Sequence, residues 1–193
     1  MNVLILSGSR NPQGQTAQAA AAFGQALQAN QAAVETVFLP PLRLERCRQC
    51  DENGWGRCRT EGRCSVVDDF AGLVAKAKAA DLVVFATPVY FGDLSESLKA
   101  FTDRLRRTCM HAAGKDGIGG KPAIGICVAG GGGGGAAACC THLERVLTTC
   151  GFALADLVPV RRQNLPVKLR ALADCAKDIA EAACSSAAQI KKS

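Results

Sequence analysis

Ala79–Arg104, AADLVVFATPVYFGDLSESLKAFTDR, decides how the rest of the chain is read. Leu82–Ala86 is a charge-free run rich in Val and Phe, the pattern of a strand buried on both faces. It is expected to stop at Thr87–Pro88, where proline forbids further ladder pairing. Val89–Leu94 then reads as a loop carrying the chain's only tyrosine, Tyr90. Ser95 is placed to cap a helix, with Leu98, Phe101, Thr102 and Leu105 at helical spacing behind it. Strand, aromatic loop and capped helix make one half of a site.

Outward from this stretch the same alternation repeats. Asn2–Leu6 is a buried strand, followed by the loop Ser7–Thr16 and an Ala/Gln-rich helix to about Asn30 with Phe23 and Leu27 on its inner face. Ala33–Leu39 alternates as a second strand, halted by Pro40-Pro41. A long loop, Leu42–Val67, holds Cys47, Cys50, Cys58 and Cys64. Asp68 and Asp69 favour the positive end of a helix reaching about Ala79. Pro122–Val128 is a fourth strand that opens into the six glycines Gly130–Gly135, then a helix to about Cys150 and a fifth strand, Phe152–Val160. Leu169, Leu172, Ala176, Ile179 and Ala183 trace the inner face of a last helix ending in Lys191-Lys192.

Five strands alternating with five helices predict an α/β domain, a three-layer sandwich around a parallel sheet. The chain, 193 residues, is read as one such domain with a cysteine-rich insertion at about 42–67. With strand order 2-1-3-4-5, strands one and three lie together where the winding reverses, and ligands bind outside their carboxyl ends. Three loops then converge on one crevice: Ser7–Thr16, Thr87–Leu94 and the glycine run.

Each loop carries a chemistry. In Ser7–Thr16, exposed N–H groups at a helix start and the hydroxyls of Ser9 and Thr16 would hold a phosphate dianion without lysine. An ordinary strand-to-helix turn is the plain alternative. Tyr90 and Phe91 could cover one face of a flat heteroaromatic ring, while backbone at Gly92–Leu94 bonds its edge. The glycine run lets backbone approach a planar ligand with no Cβ in the way.

GSRNPQGQT, ATPVYFGDLSESLKAFTDR and AGGGGGGAA together resemble the NADPH-dependent FMN reductase and iron–sulfur flavoprotein group of the flavodoxin-like superfamily. The resemblance runs over nearly the whole chain. It implies that Ser9, Gln15 and Thr16 bind the FMN phosphate, that Pro88, Val89, Tyr90, Phe91 and Gly92 hold the isoalloxazine, and that Gly131, Gly132 and Gly133 approach its other edge. It further implies NAD(P)H as co-substrate, a homodimer or tetramer, and a small-molecule or redox-protein electron acceptor. The family usually reads G-S-P-R where Arg10 here directly follows Ser9, so Arg10 is assigned no phosphate role.

Cys47-x2-Cys50 is a tight knuckle, and with Cys58 and Cys64 it offers four thiolates to a 4Fe–4S cluster, or less favourably to tetrahedral zinc; free thiols are the third alternative. The related iron–sulfur flavoproteins have a compact C-x2-C-x2-C, and Asn53 stands here where the third cysteine would fall. The loop leaves the carboxyl end of strand two, so it is expected at the same sheet edge as the crevice. Lys99, Asp103 and Arg104 are spaced for helix-surface salt bridges. Cys109, Cys127, Cys139, Cys140, Cys150, Cys175 and Cys184 read as small buried hydrophobes. His111 and His142 show no acid–base partner, and no catalytic side chain is assigned.

The chain has a net charge of +6, which suits an anionic ligand. Eleven cysteines, an odd number, cannot all pair within one chain. No signal peptide or membrane span is read, so a reducing cytoplasm is expected. Two rivals remain. One is a non-enzymatic electron carrier with the same FMN site. The other is a basic zinc module for nucleic acid, which lacks a stacking platform because Trp55 stands alone.

Overall fold

The computed structural model describes the backbone of residues 1–190 and the side chains of residues 1–183. Cys184 and Lys191-Lys192 therefore lie outside the side chains described. The strands are β1 (Asn2–Ser7), β2 (Ala33–Phe38), β3 (Leu82–Pro88), β4 (Pro122–Ala129) and β5 (Ala153–Arg161). All neighbours are parallel, in the order β2-β1-β3-β4-β5, the flavodoxin-like arrangement expected from the sequence. β1, β3 and β4 are buried along nearly their whole length, as their apolar runs require, while edge strand β2 has no fully buried residue.

Helices α1 (Gln15–Ala29) and α7 (Leu165–Ile190) cover one face, packing Phe23, Leu27, Leu172 and Ala176 against Val3, Ile5, Val84 and Ile126. On the other face lie α3 (Phe70–Ala79), α4 (Glu96–Cys109) and α6 (Ala136–Cys150). They bring Phe70, Leu73, Phe101, Leu105, Leu143 and Leu147 onto Leu4, Leu6 and Phe85. Two one-turn helices add to the five expected: α2 (Arg57–Thr60), inside the cysteine segment, and α5 (Ala112–Lys115). Both are too short for a periodic signal. Among the described residues no helix is long and apolar enough to cross a membrane.

β3 ends at Pro88, where the sequence places its stop. Pro88 stays in register with Val128, and Val89 N–H bonds Val128 O at 2.9 Å. The missing proline N–H costs nothing there, because pairing with β1 has already ended at Ser7–Ala86. The Ser95 cap forms as expected, its Oγ accepting from Leu98 N at 3.4 Å. Gly8 sits against that cap so closely that a Cβ would meet Ser95 Oγ at 2.1 Å. The first turn of α4 and the loop after β1 are thereby locked together.

Asp68 and Arg104 depart most from expectation. Lys99 and Asp103 form the surface pair read from the sequence, at 2.7 Å. Arg104 does not join them: its side chain is 1% exposed and grips the fully buried side chain of Asp68, Nη1–Oδ2 2.6 Å and Nη2–Oδ1 2.9 Å. Nη1 also donates to Glu45 O at 3.0 Å, and the guanidinium lies 4.2 Å over the Phe70 ring. Asp68 in turn accepts from Glu45 N and Phe70 N, at 2.8 and 3.2 Å. It ties both flanks of the cysteine segment to α4 rather than merely opening α3.

Burial opposes ionisation of Asp68, but the hydrogen bonds from Arg104, Glu45 N and Phe70 N outweigh it and hold the carboxyl below its ordinary range. A depressed folded-state pKa contributes stability that is complete above the unfolded value of ~3.9 and lost as pH falls through the folded value. Asp68→Asn should therefore cost about 3 kcal/mol in denaturant unfolding at pH 7. Its deficit against wild type should shrink as pH drops below ~4; a deficit constant from pH 7 to 2 would contradict this. Gly8→Ala should lower unfolding stability by about 1–3 kcal/mol through the clash with Ser95.

Candidate functional site

At the carboxyl ends of β1, β3 and β4 the three expected loops enclose an open crevice of about 710 Å³. Ser9, Gln15, Thr16, Pro88, Val89, Tyr90 and Gly131 line it, together with Val128, Ala129, Gly130, Gly134 and Arg162. One wall is the start of α1. Its N-cap is Gly14, which brings no side-chain cap, and the first turn contains no acidic residue. The loop before it is already folded on itself: Ser9 Oγ donates to Asn11 O at 3.0 Å, and Gln13 N donates to Asn11 Oδ1 at 2.9 Å. The positive end of a helix fifteen residues long is left facing the crevice.

The opposite wall is a turn closed by reciprocal backbone bonds, Tyr90 N to Asp93 O at 3.0 Å and Asp93 N to Tyr90 O at 2.9 Å. Both residues at its tip, Phe91 and Gly92, take positive φ, +50° and +80°. Tyr90 is thereby held half-exposed over the crevice, while Phe91 is turned wholly into solvent. The glycine loop supports this turn from behind. Gly135 has φ +81°, and a Cβ there would sit 2.8 Å from Gly92 Cα, so the two loops touch only because residue 135 has no side chain.

Four expected residues are thus outside the lining. Phe91 points away because the turn geometry aims it outward, Gly92 backs onto Gly135, and Gly133 packs against Gln163 and Arg161. Gly132 stands in open space, its carbonyl accepting from Gln163 Nε2 at 3.2 Å. Arg162, which no motif marked, enters because β5 ends beside β4; strand order alone could have pointed to it. A slightly larger cavity, about 760 Å³, lies at the amino ends of the strands. It is mainly apolar, and its one acidic side chain, Asp81, is engaged with Asn2 N at 2.7 Å.

Cys47, Cys50, Cys58 and Cys64 line a second, small cavity of about 20 Å³ with Arg48, Arg104, Arg107 and Thr108. Gln49 and Asp51, on either side of Cys50, take φ +50° and +65°, which curls the knuckle inward. Among the described residues no three ligating side chains already stand at metal-binding spacing. The donor set nonetheless fits an anionic thiolate-bound group: Arg104 Nη2 donates to Cys64 Sγ at 3.4 Å, and Arg104 Nε–H is buried with no acceptor.

Trp55 does not stand alone. Arg107 lies 4.1 Å over its ring and also donates to Gly54 O, while His111 meets it edge-on at 5.0 Å. The segment is not at the crevice edge, as its exit from β2 suggested. It folds back along α4 onto Arg104–Thr108, ~14–20 Å along the helix axis from Ser95 at 1.5 Å per residue.

Of the segment's arginines, Arg48 pairs with Glu45 and Arg57 with Glu61, at 2.5 and 2.6 Å. That self-pairing weakens the case for a nucleic-acid surface. Cys109, Cys127, Cys139, Cys140 and Cys150 are buried as expected, and Cys175 partly so. Burial pushes the thiols of Cys109, Cys150 and Cys175 up, so they remain protonated. His142 has a partner that sequence reading missed, Asp93 of the Tyr90 turn, Nδ1–Oδ1 3.2 Å.

Comparison with known proteins places this geometry. An iron–sulfur flavoprotein of Methanocaldococcus jannaschii is 31% identical over 125 residues, 65% of this chain and 62% of that protein. One from Methanosarcina thermophila is 37% identical over 76 residues, 38% of this chain and 37% of that one. The match thus spans less than two thirds of either relative. The fold is shared with a NAD(P)H:quinone oxidoreductase from Methanothermobacter marburgensis: TM-score 0.70, 19% identity, 93% of this chain and 96% of that one. It is shared too with an azoreductase from Bacillus anthracis: TM-score 0.65, 15% identity, 93% and 98%. The family model of the NADPH-dependent FMN reductases matches residues 1–161, through the last strand that builds the crevice, and the chain belongs to that family.

Proposed function

We propose that the chain is an FMN-dependent NAD(P)H oxidoreductase. The observation that carries this is the uncapped, acid-free start of α1 opening into a crevice bounded by a tyrosine turn and a glycine loop. The helix N–H groups and the Thr16 hydroxyl would bind the FMN phosphate, with Ser9 and Gln15 beside them. Pro88, Val89 and Tyr90 would hold the isoalloxazine from one side, and Gly131 would bring backbone against it from the other. Arg162 adds a positive charge at the rim. When bound, FMN supplies hydride acceptance at N5 from the nicotinamide and onward transfer of electrons. The protein's part is to orient the ring and tune it by hydrogen bonds, and no titrating side chain is assigned to the chemistry.

Cys47, Cys50, Cys58 and Cys64 would hold a 4Fe–4S cluster. Four thiolates suit either a cluster or zinc, and the relatives' names favour the cluster. The acceptor would be a small molecule or a redox protein, and a homodimer or tetramer belongs to the same reading.

Under anaerobic conditions NADPH should bleach the visible flavin absorption of the purified protein within the mixing period. If only a reduced partner protein does so, the chain is an electron carrier instead. Thr16→Ala should weaken FMN retention about tenfold, one charge-assisted hydrogen bond's worth, with the circular dichroism unchanged. An undiminished affinity would remove the phosphate from the α1 terminus.

A further inference from the structure

We propose that Arg104 is a positioning residue for the metal group of the cysteine segment, donating N–H bonds that raise its reduction potential. This rests on the reading that the four thiols hold an iron–sulfur cluster.

Arg104 comes from α4, not from the cysteine segment, and it lines the thiol cavity. Its five N–H donors divide unevenly. Nη1 is spent on Asp68 Oδ2 and Glu45 O, at 2.6 and 3.0 Å. Nη2 reaches Asp68 Oδ1 at 2.9 Å and Cys64 Sγ at 3.4 Å, with Val66 O at 3.5 Å. Nε keeps its proton but finds no acceptor, although the side chain is 1% exposed. A buried N–H without a partner is costly, so its persistence beside four thiols points to an acceptor of the kind a sulfur-rich anion provides.

A purely structural clamp would need only the fork on Asp68. The bond to Cys64 and the idle Nε are what that role leaves over. Asp68 fixes the plane of the guanidinium, as outer partners fix metal ligands. Hydrogen bonds and positive charge at cluster sulfur stabilise the reduced, more negative state and so raise the potential. Lysine could not substitute fully, since one ammonium cannot bond both carboxylate oxygens and a sulfur in a fixed plane.

The test is an electron-paramagnetic-resonance redox titration of protein purified and reconstituted without air. Iron, sulfide and flavin are counted in every sample. Arg104→Gln combined with Asp68→Asn leaves no lone buried charge, which protects folding. Its cluster potential should fall by a factor of about ten in the one-electron reduction equilibrium, ~59 mV, while the flavin potentials stay at wild-type values. Arg104→Lys should fall part-way. A fully loaded double variant, or Arg104→Lys should the double variant not fold, with the wild-type cluster potential overturns the role of Arg104 and leaves the cluster standing. A wild-type protein that keeps its flavin but takes up no iron and sulfide overturns the cluster reading and this assignment with it.

Discussion

Everything at the crevice depends on β1 lying directly beside β3. The two strands are buried on both faces and pair in register from Val3–Leu82 to Ser7–Ala86. Because the chain winds outward in opposite senses from this pair, the loops that follow them cannot be covered by a crossover helix. The loop after β1 runs into α1, and the loop after β3 runs into α4. Gly8, with its N–H on Ala86 O at 2.8 Å, is where the two loops are joined. A side chain there would separate the loop after β1 from the Tyr90 turn.

α4 carries that constraint outward. At its first turn Ser95 meets Gly8 and donates its N–H to Thr87 Oγ1 at 3.0 Å. Two and more turns later Arg104 and Arg107 hold the cysteine segment through Asp68, the Trp55 ring and backbone carbonyls. One rigid helix therefore sets the relative placement of crevice and thiol cavity. Its inner face, Leu98, Phe101 and Leu105, is anchored in the core below β3. The aromatic turn is tied to a second helix as well, through the Asp93–His142 contact.

The parts that sequence reading caught are those written in local pattern. Buried strands show as apolar runs, the cap as Ser95 before a helical period, and the crevice as the consequence of strand order. What it missed depends on partners far apart in the chain. Arg104 fits a surface i,i+4 pattern with neighbouring charges, and only its contact with Asp68, thirty-six residues upstream, reveals it as buried. Trp55 gains Arg107 and His111 from beyond the segment, contacts that no local pattern announces. Phe91 belonged to an aromatic pair by composition, yet two positive φ values decide that only Tyr90 faces inward.

The Asp68–Arg104 pair both packs the segment and contacts a cysteine, and the two roles are hard to separate. A buried ion pair is seldom worth more than a well-packed apolar replacement, since desolvation offsets most of the attraction. Holding two loop flanks on a helix could therefore have been done with leucine. What leucine cannot do is present planar N–H donors to sulfur from a fixed direction, and that leftover capacity is what Arg104 directs at Cys64. The same guanidinium thus keeps Glu45 and Val66 in place and polarises the thiol between them. Any substitution there perturbs both, so a change in unfolding stability alone says little about its purpose.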